Sequence, residues 1–125
     1  MPARFKDIFC KYSNPVFMQY VFVYGSLLDP VIQKQLFNRT LTPEGQAILY
    51  GWEKHTCEEY PFITAEEGAQ VKGEIIVLTE KELSIADKWE EAPGVYQRKK
   101  LLVQLMDGSQ LKAWVYTRKS TGFEY

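Results

Sequence analysis

The sequence is sparing in the residues that most often announce a cofactor or a redox centre: one histidine and two cysteines in 125 residues. Cys10 and Cys57 match no zinc or thiol-redox spacing. Spacing does not settle whether they pair, and free thiols in a reducing compartment are the simpler expectation. His55 with Cys57, Glu58 and Glu59 can be drawn as a metal cluster, but no second ligand pair accompanies it. A polar strand end is the plainer role, and neither a metal nor an organic cofactor is called for. Charge of one sign is also lacking, with 15 Lys+Arg against 16 Asp+Glu and a net charge of −1. Such a balance creates no field to hold nucleic acid or an anionic membrane surface. Nor is any apolar run long enough to span a bilayer. Arg4, Lys6 and Lys11 ahead of the apolar run 16–28 loosely imitate a signal peptide, yet Asp7 and Gln19 interrupt it and no cleavage site follows. A soluble, cytoplasmic protein is expected. Repeats and low-complexity tracts are absent as well, which excludes solenoids and disordered linkers.

What remains is an ordinary globular composition, 46% hydrophobic and 25% charged, of a length suited to one domain with its own core. Residues 1–19 show no clear period and read as an arm, 20–117 as the domain, and 118–125 as a tail. The arm's role is open between a translation-start ambiguity, a dimerisation arm and a flap over a pocket, and a homodimer is compatible with the sequence. Tyr20–Tyr24 is continuously apolar, as a strand buried on both faces should be. Asp29-Pro30 reads as a helix cap followed by proline at the first helical position, with the helix ending near Asn38. Strands are expected at 46–53, 60–64 and 71–78, with a turn at Glu66-Glu67-Gly68 between the last two. Thr79-Glu80-Lys81-Glu82 is a capping-box pattern opening a second helix that runs to about Glu91 and is stopped by Pro93-Gly94. Strands 96–106 and 111–117 close through Asp107-Gly108, a hairpin signal. The pattern is that of an α+β fold, a curled or barrel-like sheet with helices packed outside.

The second helix contains one anomaly. At about 100° per residue, Leu83, Ile85, Ala86 and Trp89 form a single apolar arc, and Glu90 falls inside it. Asp87 and Glu91 lie outside the arc and should be hydrated. An inward carboxylate is either a desolvated acid with a raised pKa, as proton transfer near neutral pH requires, or half of an interior salt bridge with Arg98 or Lys99. Periodicity leaves the two readings even. A second anomaly is "FVYGSLL" at 22–28, a core-like strand that breaks at Tyr24-Gly25-Ser26-Leu27. Gly25 admits backbone angles closed to other residues and close approach by a ligand. The bend runs into a helix N-terminus, where amide N–H groups favour an anion. The alternative is a tight turn with no ligand.

These segments, with "YPFIT" at 60–64, "VKGEIIVL" at 71–78, "ADKWEEAPGVYQRKKLLV" at 86–103 and "AWVY" at 113–116, stand in an order that resembles the γ-glutamylcyclotransferase-like family, including AIG2-like proteins and γ-glutamylaminecyclotransferase. The resemblance covers about residues 20–117. It implies a small mixed β-barrel with flanking helices, and an enzyme that cyclises a γ-glutamyl amine or γ-glutamyl amino acid to 5-oxoproline. The family's Leu-Asp-x-aromatic-Glu motif falls on Ala86-Asp87-Lys88-Trp89-Glu90, which implies Glu90 as the catalytic acid/base. The resemblance assigns the glutamyl part of the substrate to Tyr24, Gly25, Ser26 and Leu27, and a pocket-lining or supporting place to Tyr96, Arg98 and Tyr116. Ala86 stands where the family usually has leucine, and Glu91 where glycine is common. Two rivals use the same barrel: a catalytically idle small-molecule or protein-binding module, and a hydrolase or acyl-transfer enzyme built on Cys57 and His55, for which no orienting acid is evident.

Overall fold

The run at 20–24 is indeed apolar on both sides, because its strand has two interiors to serve. In a computed structural model, which describes residues 18–57, 61–90 and 96–118, this strand is β1 (Met18–Val23). Phe22 and Tyr24 join Leu49, Ile63, Ile75, Val103 and Val115 inside a β-barrel. Val21 and Val23 face the other way, against Ile76, Leu78, Leu83, Ala86 and Tyr116 under the helices. A period of two along the strand thus fills two clusters with one apolar run.

After β1 come a 3₁₀ turn (Ser26–Leu28), helix α1 (Pro30–Phe37), strands β2 (Gly45–His55) and β3 (Phe62–Thr79), helix α2 (Glu80–Trp89), and strands β4 (Tyr96–Leu105) and β5 (Gln110–Arg118). The strands close in the order β1-β3-β2-β4-β5. Neighbours are antiparallel except β1 and β5, which meet in parallel at Val21 and Trp114. The expected mixed barrel with flanking helices is therefore present. Both helix starts form as the sequence indicates. The Asp29 side chain accepts from the Val31 amide, and Thr79 and Glu82 complete a reciprocal capping box.

Three differences from the sequence reading have physical causes. The expected turn at 66–68 does not separate two strands: β3 runs unbroken from 62 to 79 and pairs with β2 on either side of that stretch, at 62–65 and 70–75, with the register shifting between Tyr50 and Trp52. Gly51 and Gly68 both take positive φ there, 88° and 87°, so the ribbon bends at a bulge instead of reversing. Met18 and Gln19, assigned to the arm, pair with Thr79 and Leu78, and Arg118 of the expected tail pairs with Tyr96. Arm residues 1–17, the tail from 119, Tyr60 and the stop at Glu91, Pro93 and Gly94 lie outside the described residues.

No helix among the described residues is long and apolar enough to cross a membrane. Among them, too, no group of three or more His, Cys, Asp or Glu side chains could hold a metal ion.

Candidate active site

Segments distant in sequence meet at one end of the barrel, where β1 stops and α2 ends. They enclose a pocket of about 190 Å³, below the roughly 300–1,000 Å³ of sites for drug-sized ligands and in keeping with a small metabolite. Phe22 and Val23 form its floor, the bend Tyr24–Leu27 one wall, and Trp89 and Glu90 another, while Pro61, Tyr96 and Tyr116 complete it. Glu90, Tyr24, Gly25, Ser26, Leu27, Tyr96 and Tyr116 thus all line one cavity, whereas Arg98, nominated as a lining or supporting residue, does not line it.

Glu90 caps the C-terminus of α2, its amide bonded to the Ala86 carbonyl. Burial pushes its carboxyl from the ordinary value up to about 7, since the pocket solvates the anion poorly. The interior salt bridge does not form: Arg98 turns to Asp87, with Nε on Oδ1 at 2.8 Å and Nη2 on Oδ2 at 2.9 Å, and Lys99 lies over the Trp52 ring. Asp87, expected to be hydrated, is instead held by that bidentate pair and by the Tyr116 hydroxyl at 2.6 Å. Strand β4 passes close to the helix flank, a neighbour that helical periodicity alone does not include.

Raising a carboxyl in the folded state has a consequence for stability. Between the ordinary carboxylate range and pH 7 the native protein holds the Glu90 proton more tightly than the unfolded chain does, so stability declines as pH rises through that window. The penalty levels off above it at no more than roughly 3.5 kcal/mol, taking about 1.4 kcal/mol per pH unit. The Glu90→Gln variant removes the charge. It is expected to melt above the wild type at pH 8, with the difference shrinking toward pH 4; thermal unfolding across that range is the check.

The bend owes its shape to space. Gly25 has φ −150°, so a left-handed conformation is not what selects glycine here. A Cβ at this position would stand 3.1 Å from Pro61 Cγ, tight enough to push the bend off the segment that faces it. Gly25→Ala is expected to lower stability by about 1 kcal/mol and to raise KM more than it lowers kcat, as denaturant titration and steady-state kinetics of the variant would show. The expected run from bend into helix also needs correction. A 3₁₀ turn intervenes, with Leu28 and Asp29 amides bonded to Gly25 and Ser26 carbonyls, and the Asp29 carboxylate already occupies the first turn of α1. The amides outside the turn's own ladder are instead those at its start, on Ser26 and Leu27, which no side chain caps and whose residues line the pocket.

A buried glutamine holds this turn. Gln33 of α1, 2% exposed, donates from Nε2 to the Leu27 carbonyl and accepts from the Leu41 amide, both at 2.8 Å. The sequence reading missed it, although its place one helical turn before the buried Phe37 was a usable signal. Pro61 and Trp89 were missed as lining residues. His55 and Cys57 are elsewhere: the imidazole stacks on Phe62 and bonds Thr64, and Cys57 is exposed. Neither lines the pocket.

Comparison with known proteins agrees with this architecture. Residues 21–124 match the family described as gamma-glutamyl cyclotransferase, AIG2-like. A gamma-glutamylaminecyclotransferase from Bos taurus is 34% identical over 113 residues, covering 78% of this chain and 64% of its own length. A Methanocaldococcus jannaschii protein whose name includes gamma-glutamylcyclotransferase is 34% identical over 79% of this chain; the chain spans 46% of that relative, about half its length. The crystal structure of an AIG2-like protein from Mus musculus superposes with a TM-score of 0.68 at 26% identity, covering 87% of this chain and 82% of the mouse one.

Proposed function

The chain belongs to the gamma-glutamyl cyclotransferase, AIG2-like family, and we propose that it cyclises a small γ-glutamyl amine or γ-glutamyl amino acid to 5-oxoproline. The observation that carries the reading is the pairing, across one small pocket, of a poorly solvated carboxyl at Glu90 with the amide-bearing bend at 25–27.

The chemistry follows from the substrate's own connectivity. A γ-glutamyl compound carries an α-nitrogen that reaches its γ-carbonyl carbon when the molecule is folded, and a small pocket holds it folded. Glu90 takes a proton from the α-ammonium. Its value of about 7 lies near the roughly 7.7–8.0 of an α-amino group, so the transfer is almost balanced. The freed amine attacks the γ-carbonyl carbon, forming the ring C–N bond. Collapse of the tetrahedral adduct breaks the bond to the departing amine, which receives the first proton back from Glu90 and then, through the same carboxyl, the extra proton that the ring nitrogen sheds, leaving as an ammonium ion. The amides of Ser26 and Leu27 are the donors for the oxygen that becomes negative, or for the substrate α-carboxylate. The reaction is redox-neutral and hydrolyses nothing, so its balance requires no cofactor.

The test is incubation with a panel of γ-glutamyl amines, γ-glutamyl dipeptides and glutathione, with 5-oxoproline followed by chromatography. Release of 5-oxoproline in equal amount to free amine is expected from at least one class. Silence across the panel, from folded protein, would sink the proposal in favour of an idle binding module.

A further inference from the structure

Tyr24 and Tyr116 both line the pocket, and both have their hydroxyl protons committed to the protein. Tyr24 donates to the backbone carbonyl of Tyr116, an oxygen that can only accept. Tyr116 donates to Asp87 Oδ1 at 2.6 Å. That carboxylate, gripped by the Arg98 fork at 2.8 and 2.9 Å, likewise has only lone pairs to give. A hydroxyl owns one proton and two lone pairs. With the proton placed, each phenol oxygen can present a ligand only with an acceptor.

The rest of the cavity agrees in sign. Among the described residues its sole charged lining residue is Glu90, and no lysine or arginine among them lines it. Burial first, and then the Glu90 charge, holds the Tyr24 hydroxyl well above the ordinary phenol range, outweighing the opposing pull of Arg118. Burial and the Asp87 hydrogen bond do the same for Tyr116, with Glu90 contributing. Both hydroxyls therefore keep their protons and lie within electrostatic reach of the same carboxylate.

We propose that the relay Arg98–Asp87–Tyr116–Tyr24 makes the wall beside Glu90 a seat of oxygen acceptors for an amine or ammonium group, and that Asp87 is a positioning residue whose task is to keep the Tyr116 proton out of that seat. The identity of the amine as the substrate's α-nitrogen rests on the cyclisation reading; the seat itself does not. Once the nitrogen is held by two neutral oxygens, its proton can pass to Glu90 without the group drifting in the pocket.

The experiment compares two probes that differ only at the α-nitrogen: γ-glutamylbutylamide and its deamino analogue, glutaric acid monobutylamide. Binding is measured by calorimetry in the Glu90→Gln background, which prevents turnover, with and without Tyr116→Phe or Asp87→Asn. Loss of a hydrogen bond to a charged group predicts a tenfold or greater weakening for the amine-bearing probe, with the deamino probe unchanged. Equal loss for both probes, or no loss for either, overturns the inference. Because Tyr116→Phe leaves the Arg98–Asp87 pair in place, it decides the matter even if Asp87→Asn folds poorly. Release of 5-oxoproline by the wild type is assayed alongside. Turnover without amine-selective loss removes the seat and spares the cyclisation. Amine-selective loss without turnover does the reverse.

Discussion

The Glu90→Gln variant is expected to lose turnover by about 10²–10⁴-fold, the range that general acid–base catalysis supplies, while still binding a γ-glutamyl amine. Glutamine fills the same volume at the end of α2 and leaves the Ala86 bond to its backbone intact. What disappears is a group able to hold a proton near neutral pH. The residual rate should also change its pH dependence. In the wild type, kcat/KM should rise as Glu90 ionises through about pH 7, because the base form takes the α-ammonium proton. In the variant that limb should be absent. Steady-state kinetics from pH 5 to 9 with calorimetry on the variant separates this from an idle binder, which shows no turnover in either form. A variant that keeps wild-type turnover would remove Glu90 from the chemistry.

The largest effect on folding is expected at Gly73. A Cβ there would lie 2.5 Å from the Val23 carbonyl oxygen and 2.6 Å from Phe22 Cζ. The first obstacle is backbone in a paired strand, and the second is a ring 1% exposed inside the barrel. Neither can retreat cheaply in an interior packed at crystal-like density. Gly73→Ala should destabilise the protein by about 3 kcal/mol, the upper end for overpacking, which corresponds to a fall of roughly 10–20 °C in melting temperature. Phe22 also floors the pocket, so any surviving fold should bind substrate less well. Unchanged melting by calorimetry would mean that β1 and β3 stand farther apart than described. The missing side chain at 73 is thus a requirement of the barrel that reaches the site through one aromatic ring.

The legible parts of the chain were those governed by near neighbours. Asp29, Thr79 and Glu82 announce helix starts because a cap is a contact within three residues. Glu90 was legible because an acid breaking an apolar arc is visible without knowing what the arc faces. Asp87 was misjudged for the complementary reason: its partners, Arg98 and Tyr116, arrive from β4 and β5 and depend on barrel closure. The stretch Glu66-Glu67-Gly68 carries turn composition, yet its fate is decided by β2, which keeps hold of β3 on both sides of the bulge. Gln33 escaped because a polar residue in a helix is expected outside, and only the Leu27 and Leu41 backbone groups explain its burial. The order of the motifs conveyed the pocket as a whole, something no single spacing could do.

The closure between β2 and β4 rests on two residue pairs, Ala47 with Leu105 and Ile48 with Gln104. Beyond them the two strands part company, each still zipped to its other neighbour, so among the described residues their facing edges offer backbone groups with no ladder opposite. Such an edge invites a strand from another molecule and, with it, aggregation. Here it is guarded: β4 carries the exposed Lys99 and Lys100 along the parting stretch, and the Gly51 bulge twists β2 out of line. Burying those charges would penalise any intruding strand. The arrangement lets the barrel stay ajar at this seam without becoming sticky.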